Sequence, residues 1–432
     1  MNHMKDIASY ALEQLKKAGA DKASGRAHKS RTDEFNIEAN KFTLMRTIFN
    51  DSLNLKALVG GRKGVTITNK LDKASIDEAV KNCIALAKSA EPDDAEDIAT
   101  LVENKDFDTV GGEPDMTGLF NRSKEYLEQV RDALPKVMIE SFSSVYNCGE
   151  TAFVNSNGVC FSSKNDYYHF NSMFVGKDGE KSSSFNYGGA LLADTSAPFI
   201  QAGMHRRLLE EAEKSINARM VDEKFIGKII VTPACGDMIW ETILDCFLGD
   251  RSMIEGTSRW KDALNTVVAD KKLTFRASPH NPKMVSANQF TQDGFITRDA
   301  DFIKDGVLKA FDLSLYGANK TGKPRADTAS HNIEVYSGDT SLDDMIKGVD
   351  RGILLNRFSG GSPGASGDIS GVAKNSFLIE NGVITDALQE TMISFNILDA
   401  LKNITAISKE RIHNGLSLLP WCCFDGITVS GK

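Results

Sequence analysis

Strand-like runs joined by glycine-containing turn dipeptides restrict the possible folds of this chain more than any other sequence feature. The dipeptides that separate such runs are Asn157-Gly158, Asp178-Gly179, Asp305-Gly306 and Asn381-Gly382. Asn-Gly and Asp-Gly adopt the positive φ angles of the tight turns that join antiparallel strands. The pattern therefore predicts β-hairpins in both halves of the chain, with an antiparallel meander over residues 136–192.

Helix signals accompany the predicted strands, mainly in the first half of the chain. Residues 4–18 place apolar side chains on one face and stop at Gly19, which is typical of a helix end. Ser75-Ile-Asp-Glu78 is a capping box and predicts the start of a second helix. Further helices are predicted over residues 117–133 and 199–218.

The length of the chain indicates more than one domain, because 432 residues exceed what one ordinary hydrophobic core supports. We predict the α+β class. An N-terminal domain over residues 1–221 is expected to hold a helix-flanked antiparallel sheet. A C-terminal domain over residues 222–432 is expected to be mostly antiparallel and barrel-like.

Composition favours a cytoplasmic protein without nucleic-acid or membrane partners. The net charge is −8 and no long Lys/Arg run is present, whereas a duplex-binding surface is usually basic. The seven cysteines are irregularly spaced without a Cys-x-x-Cys pair, which is typical of reduced thiols. The N-terminus lacks the pattern of a signal peptide, and no apolar run reaches the length of a membrane-spanning helix.

Two partial motifs do not predict a site. Residues 317–324 nearly match a phosphate-binding loop, but Pro324 stands where the motif needs Ser or Thr for Mg²⁺. Residues 360–364 match Gly-x-Ser-x-Gly around Ser362, but Pro363 and the following glycines do not continue as the required helix. No two histidines have the i, i+4 spacing that lets one helix face hold a metal.

A glycine-dense segment over residues 360–371 favours a loop that faces a substrate or an interface. Dense glycine permits close backbone approach, although an ordinary surface loop is the alternative. The candidate residues for a substrate path or interface are Gly360, Gly361, Gly364, Gly367 and Asp368.

Glu241 and Asp245 form a carboxylate pair on the helix that is predicted to follow Pro233. Their i, i+4 spacing places them on one face, where carboxylates can bind a hard cation or transfer protons. From the spacing alone, a solvated helix face is the favoured interpretation.

Several motifs, mostly in the second half, together resemble one protein family. They are Asp293–Asp305, His331-Asn332, Gly338–Met345, Gly367–Gly371, Ile379–Gly382 and Leu418–Pro420. With these motifs the chain resembles the TldD/TldE family, and specifically its TldE side, which is also called PmbA or "modulator of DNA gyrase". The resemblance covers essentially the whole chain, and its specific motifs lie after residue 225.

The resemblance implies that this chain carries no zinc. TldD-like chains hold zinc with the two histidines of H-E-x-x-x-H and a later cysteine, and the Glu is placed to activate water. The corresponding positions here are Trp240, Glu241, Asp245 and a position near Asn414. Indole cannot coordinate zinc, and one carboxylate cannot form a tight site. Zinc is therefore expected only in a TldD-like partner, and Glu241 is the one candidate catalytic residue that is kept.

The implied role is that of the non-metal subunit of a cytoplasmic two-component peptidase. TldE-like chains pair with TldD-like chains, and the pair degrades or trims unfolded peptides inside a closed chamber. Strand edges of the C-terminal half are expected to line the peptide path, and the chain alone is expected to form homodimers. The alternatives are a scaffold without a role in proteolysis, and an independent hydrolase around Glu241, Asp245 or His280.

Overall fold

The structure is a computed structural model that describes residues 3–326, 328, 332–361 and 363–431. His331 and Ser362, which belong to the sequence motifs, lie outside the described residues. The helices are α1 (His3–Lys17), α2 (Lys73–Ser89), α3 (Met116–Ala133), α4 (His205–Lys214), α5 (Pro233–Ile243), α6 (Asp250–Ile254), α7 (Leu315–Thr321), α8 (Leu342–Lys347) and α9 (Ile397–Lys402). Within the described residues, no helix is long and apolar enough to cross a membrane.

A mostly antiparallel sheet forms the first half of the molecule, in the order β3-β2-β1-β5-β6-β4, with β7 and β8 also paired to β6. Its strands are β1 (Lys22–Glu38), β2 (Lys41–Val59), β3 (Arg62–Thr68), β4 (Lys105–Thr109), β5 (Val137–Asn155), β6 (Cys160–Asp178), β7 (Lys181–Ser182) and β8 (Asn186–Leu192). Alternation along the strands gives the sheet two different faces. One face carries Ala27, Leu55 and Ala152, which pack against the apolar stripes of α1 and α2.

Helices α1, α2 and α3 begin close to the predicted positions, and two details need correction. The N-cap of α2 is Asp72, whose side chain accepts a hydrogen bond from the backbone N–H of Ser75 at 3.0 Å. The predicted cap at Ser75 is therefore wrong, because an aspartate one turn earlier offers the same acceptor. The segment predicted as one helix over residues 199–218 contains α4 between two 3₁₀ turns.

A larger mixed sheet forms the second half, in the order β12-β11-β10-β13-β21-β9-β14-β17-β18. Its strands are β9 (Phe225–Val231), β10 (Phe275–Ala277), β11 (Ala300–Lys304), β12 (Val307–Leu308), β13 (Ile333–Val335), β14 (Arg351–Leu355), β15 (Arg357–Gly360), β16 (Asp368–Lys374), β17 (Ser376–Glu380), β18 (Val383–Leu388), β19 (Thr391–Asn396), β20 (Ile404–His413) and β21 (Leu418–Ser430). The α+β class is confirmed. The term barrel-like describes this sheet only loosely, because β21 pairs with β9, β13, β19 and β20, and the described strands form an open, branched sheet.

The turn dipeptides occupy the predicted hairpins. Asp305 and Gly306 have φ angles of 49° and 77° between β11 and β12, and Asn381 and Gly382 have 50° and 77° between β17 and β18. Gly158, between β5 and β6, also has a positive φ of 92°. Positive φ at these positions explains why glycine, aspartate and asparagine occur there.

One of the buried hydrophobic clusters contains residues of both halves. Phe142 and Phe170 of the first sheet belong to the same buried cluster as Ile230, Leu354 and Trp421 of the second sheet. The predicted boundary at residue 221 falls between β8 and β9. Where each half would end as an independently folding unit stays a prediction.

Candidate functional site

Helix α5 positions the residues that the sequence singles out. Buried strand β9 ends at Val231, and Pro233 then occupies the start of the helix, where its missing N–H costs nothing. After Ile243 the chain continues as a π-helical turn over Leu244–Leu248. The helix therefore presents one face to the core of the second half and the opposite face to a cleft.

Trp240 lies on the core face of α5. Its side chain is 2% exposed, and its ring stacks on Phe275 with 5.2 Å between the ring centroids. One turn earlier, a Cβ at Gly236 would lie 3.3 Å from the indole Nε1, so the indole packs closely against the helix. Trp240 is thus a packed core residue of α5.

Glu241 and Asp245 lie on the opposite, exposed face of α5 and the π-helical turn. Both carboxylates border one open cleft of about 610 Å³, as the i, i+4 spacing predicts. The other wall of the cleft is β15 together with Gly361 and Pro363. The structure therefore brings Glu241, Asp245, Gly360 and Gly361 together at one site.

Asp237 is a third carboxylate of this helix face, which the sequence analysis missed. It precedes Glu241 by four residues and borders the same cleft. Burial, with a contribution from the charge of Glu241, raises the pKa of Asp237 to about 6, although a hydrogen bond with Ser417 opposes the rise. The sequence signal for Asp237 is the i, i+4, i+8 spacing of the three acidic residues, which places them on one helix face.

Asn414 lies at an adjoining cavity of about 270 Å³ that Asp237 also borders. Its Oδ1 accepts hydrogen bonds from the backbone N–H groups of Leu416 at 3.0 Å and Ser417 at 2.8 Å. The side chain therefore shapes the loop between β20 and β21. Its acceptor oxygen is already engaged.

The glycine-dense segment forms the tip of the hairpin between β15 and β16, and only part of it reaches the cleft. Gly364 has open space around it, and Gly367 makes a turn with φ of 82°. Asp368 begins β16 and accepts a hydrogen bond from Asn396 Nδ2 at 3.0 Å. This bond and one with Ser366 lower the pKa of Asp368. Gly364, Gly367 and Asp368 lie outside the cleft lining.

His280 is separated from this site. It is exposed, and its backbone N–H donates to Asp299 Oδ1 at 3.1 Å in the loop after β10. It does not border the cleft that holds Glu241 and Asp245. The described geometry therefore brings no histidine from this loop to the carboxylate pair.

The donor set at this site does not fit a catalytic zinc. Such a site needs three protein ligands, mainly imidazole, thiolate or carboxylate. Trp240 offers no lone pair to a metal, and the Asn414 oxygen accepts two backbone hydrogen bonds. Among the described residues, no group of three or more His, Cys, Asp or Glu side chains is arranged to hold a metal ion.

Comparison with known proteins shows which proteins this chain resembles. Residues 227–431 match the family model of the PmbA/TldA metallopeptidase C-terminal domain. The chain is 24% identical to a metalloprotease PmbA homolog of Haemophilus influenzae over 99% of this chain and 96% of that protein. It is also 24% identical to the metalloprotease PmbA of Escherichia coli O157:H7, over 83% and 82% of the two chains.

Solved structures share this fold. The fold matches TldE from Thermococcus kodakarensis with a TM-score of 0.84 and 18% identity, over 98% of this chain and 99% of that chain. A Bacteroides thetaiotaomicron protein described as a proposed modulator of DNA gyrase matches with a TM-score of 0.85 and 23% identity over both full chains. Residues 227–431 therefore carry a PmbA/TldA metallopeptidase C-terminal domain, and the chain is similar over nearly its whole length to PmbA-type proteins.

Proposed function

We propose that this chain is the non-metal subunit of a cytoplasmic two-component peptidase, which acts on unfolded peptides together with a zinc-bearing TldD-like chain. The observation that carries the proposal is Trp240, because a core residue replaces the first zinc ligand expected on α5. Glu241 remains next to it without the imidazoles that would hold a metal-bound water. The chemistry is therefore assigned to the partner.

The cleft beside α5 is the proposed peptide path of this subunit. Strand β15 pairs with β16 on one side, and its residues Arg357–Gly360 border the cleft. An extended peptide can add to such a strand by backbone hydrogen bonds, which require no particular side-chain sequence. Asp237, Glu241 and Asp245 line the opposite wall and favour neutral or cationic segments over acidic ones.

A pair of glycine variants tests the proposed path. In a mixture with a TldD-like chain, Gly361→Trp is expected to lower the rate of peptide cleavage at least about tenfold, because the indole fills the cleft. Folding should survive, since a Cβ at Gly361 meets no atom within 4 Å. The matched control is Gly364→Trp, which lies on the same hairpin tip in equally open space but outside the cleft.

Cleavage rates of an unstructured peptide are measured for the TldD-like chain alone and in mixtures with each variant. Equal loss with both variants would indicate a general effect on the hairpin and contradict the path. If the wild-type chain does not change the cleavage rate of the partner, the two-component proposal fails and a scaffold role is favoured.

A further inference from the structure

A row of polar side chains crosses one face of the first sheet, far from α5 in the chain. The row is defined by Arg26 and His28 of β1, Ser52 and Asn54 of β2, Thr151 of β5, and Ser163 and Asn165 of β6. The strand register places them side by side. Arg26 lies opposite Asn54, His28 lies opposite both Ser52 and Thr151, and Thr151 lies opposite Ser163.

This polar row is covered rather than fully exposed. Residues 287–290 and Gln292 of the second half lie over it and enclose a cavity of about 310 Å³. The intervening residues, such as Ala27, Leu53 and Ala152, point to the other face and are buried against α1 and α2. The sheet therefore has an apolar face toward the helices and a polar cavity on the other side.

Arg26 brings a positive charge into this cavity without a matching carboxylate. Its Nη1 donates one long hydrogen bond of 3.4 Å to the backbone oxygen of Thr291, and its guanidinium lies 5.2 Å from the ring centroid of Phe290. Burial lowers the pKa of Arg26. Among the described residues, Arg26 is in no ion pair and no carboxylate belongs to the cavity lining, although the charge of Asp51 acts on the neighbouring His28. A half-buried cation without a counter-charge is unfavourable.

The nearest acidic residue along the covering segment is already engaged. Asp293 accepts hydrogen bonds from the Thr291 hydroxyl and, at 2.7 Å, from the backbone N–H of Leu315. It also lies 3.7 Å from Arg325. Asp293 therefore does not supply the missing charge to Arg26.

The remaining lining groups are neutral hydrogen-bonding groups. His28 Nδ1 is 2.9 Å from Thr151 Oγ1. Burial and the charge of Arg26 lower the pKa of His28, and the charge of Asp51 opposes them. The amides of Asn54 and Asn165 and the hydroxyl of Ser163 border the same space. Such groups can donate to an oxyanion, and the planar guanidinium can bind two of its oxygens at once.

We propose that this cavity binds a small oxyanion, a carboxylate or a phosphate, with Arg26 as its counter-charge. The site is separate from the cleft beside α5 and goes beyond the peptidase role. Bound anion would also join the first sheet to residues 287–292 of the second half. The proposal therefore predicts that anion binding stabilises the whole chain.

Thermal unfolding of the full chain tests the proposal with sodium phosphate and sodium acetate against sodium chloride at equal ionic strength. We expect phosphate or acetate, at about ten times its Kd, to raise the unfolding midpoint of the wild type by about 1–3 °C. Whichever anion gives the rise identifies the preferred oxyanion. Arg26→Gln should weaken its binding at least about tenfold. Lys29→Gln is the control, because Lys29 is exposed and alternates to the other face of β1.

Asn54→Asp provides a second variant that does not remove Arg26. It places a carboxylate directly across from Arg26, so it should raise the midpoint in chloride and abolish the response to phosphate and acetate. The proposal is overturned if neither anion raises the wild-type midpoint above chloride. It is also overturned if the response persists in Arg26→Gln or Asn54→Asp.

Discussion

Trp240→Ala is expected to lower the free energy of unfolding by about 3–5 kcal/mol. The indole is 2% exposed and stacks on Phe275 with an interplanar angle of 26°. Ile239, Ile243 and Phe247 belong to the same buried cluster, so truncation leaves a cavity that close neighbours cannot fill. The effect follows from core packing and requires no metal.

Equilibrium denaturation in urea measures this loss. Trp240→Phe is the conservative comparison, because a ring that stacks on Phe275 is retained, and it should cost less than the alanine variant. Glu241→Gln is the neighbouring control and should have little effect, since Glu241 is exposed. A cost below about 1 kcal/mol for Trp240→Ala would contradict the packing described here.

Acid is expected to destabilise the protein through His205, which lies in the core. His205 is 1% exposed, its Nε2 is 2.8 Å from the Tyr126 hydroxyl, and burial lowers its pKa to about 3. Because the unfolded chain has a histidine pKa of about 6.5, it binds the proton first as the pH falls. The stabilisation that comes from keeping His205 neutral is therefore fully present above a pH of about 6.5. It decreases as the pH falls toward the folded-state pKa, and the free energy of unfolding drops by about 3 kcal/mol between pH 6.5 and 4.

The measurement is the urea unfolding free energy of wild type and His205→Gln at several pH values in this range. The difference between the two proteins removes the contributions of other groups that titrate, including Asp237. His280→Gln serves as a control for an exposed histidine. If wild type and His205→Gln lose stability equally as the pH falls, the protonation argument is wrong.

Local sequence signals predicted local structure well. Asp305-Gly306 and Asn381-Gly382 form the expected turns, because positive φ is a property of the dipeptide itself. The shape of the second sheet was not predictable in the same way. It depends on β21, which pairs with β9 and β13 far earlier in the chain as well as with β19 and β20, and no local pattern records the distant pairings.

Only part of the candidate site could be predicted, because local spacing indicates a shared helix face but does not show long-range packing. The spacing of Glu241 and Asp245 identified a shared helix face, and both residues border the cleft. The glycine count suggested the hairpin tip but could not separate Gly361, which reaches the cleft, from Gly364, which does not. Asp237 was missed because its role depends on burial, which appears only when Ser417 and the loop before β21 pack beside α5.

The zinc content of the purified chain tests whether α5 carries a metal site. The purified chain is incubated with zinc, passed through a desalting column and measured by atomic absorption, with a TldD-like chain treated in parallel. The account predicts stoichiometric zinc in the TldD-like chain and only background zinc in this chain. Stoichiometric zinc in this chain, lost on Glu241→Gln or Asp245→Asn, would contradict the account and place a metal site on α5.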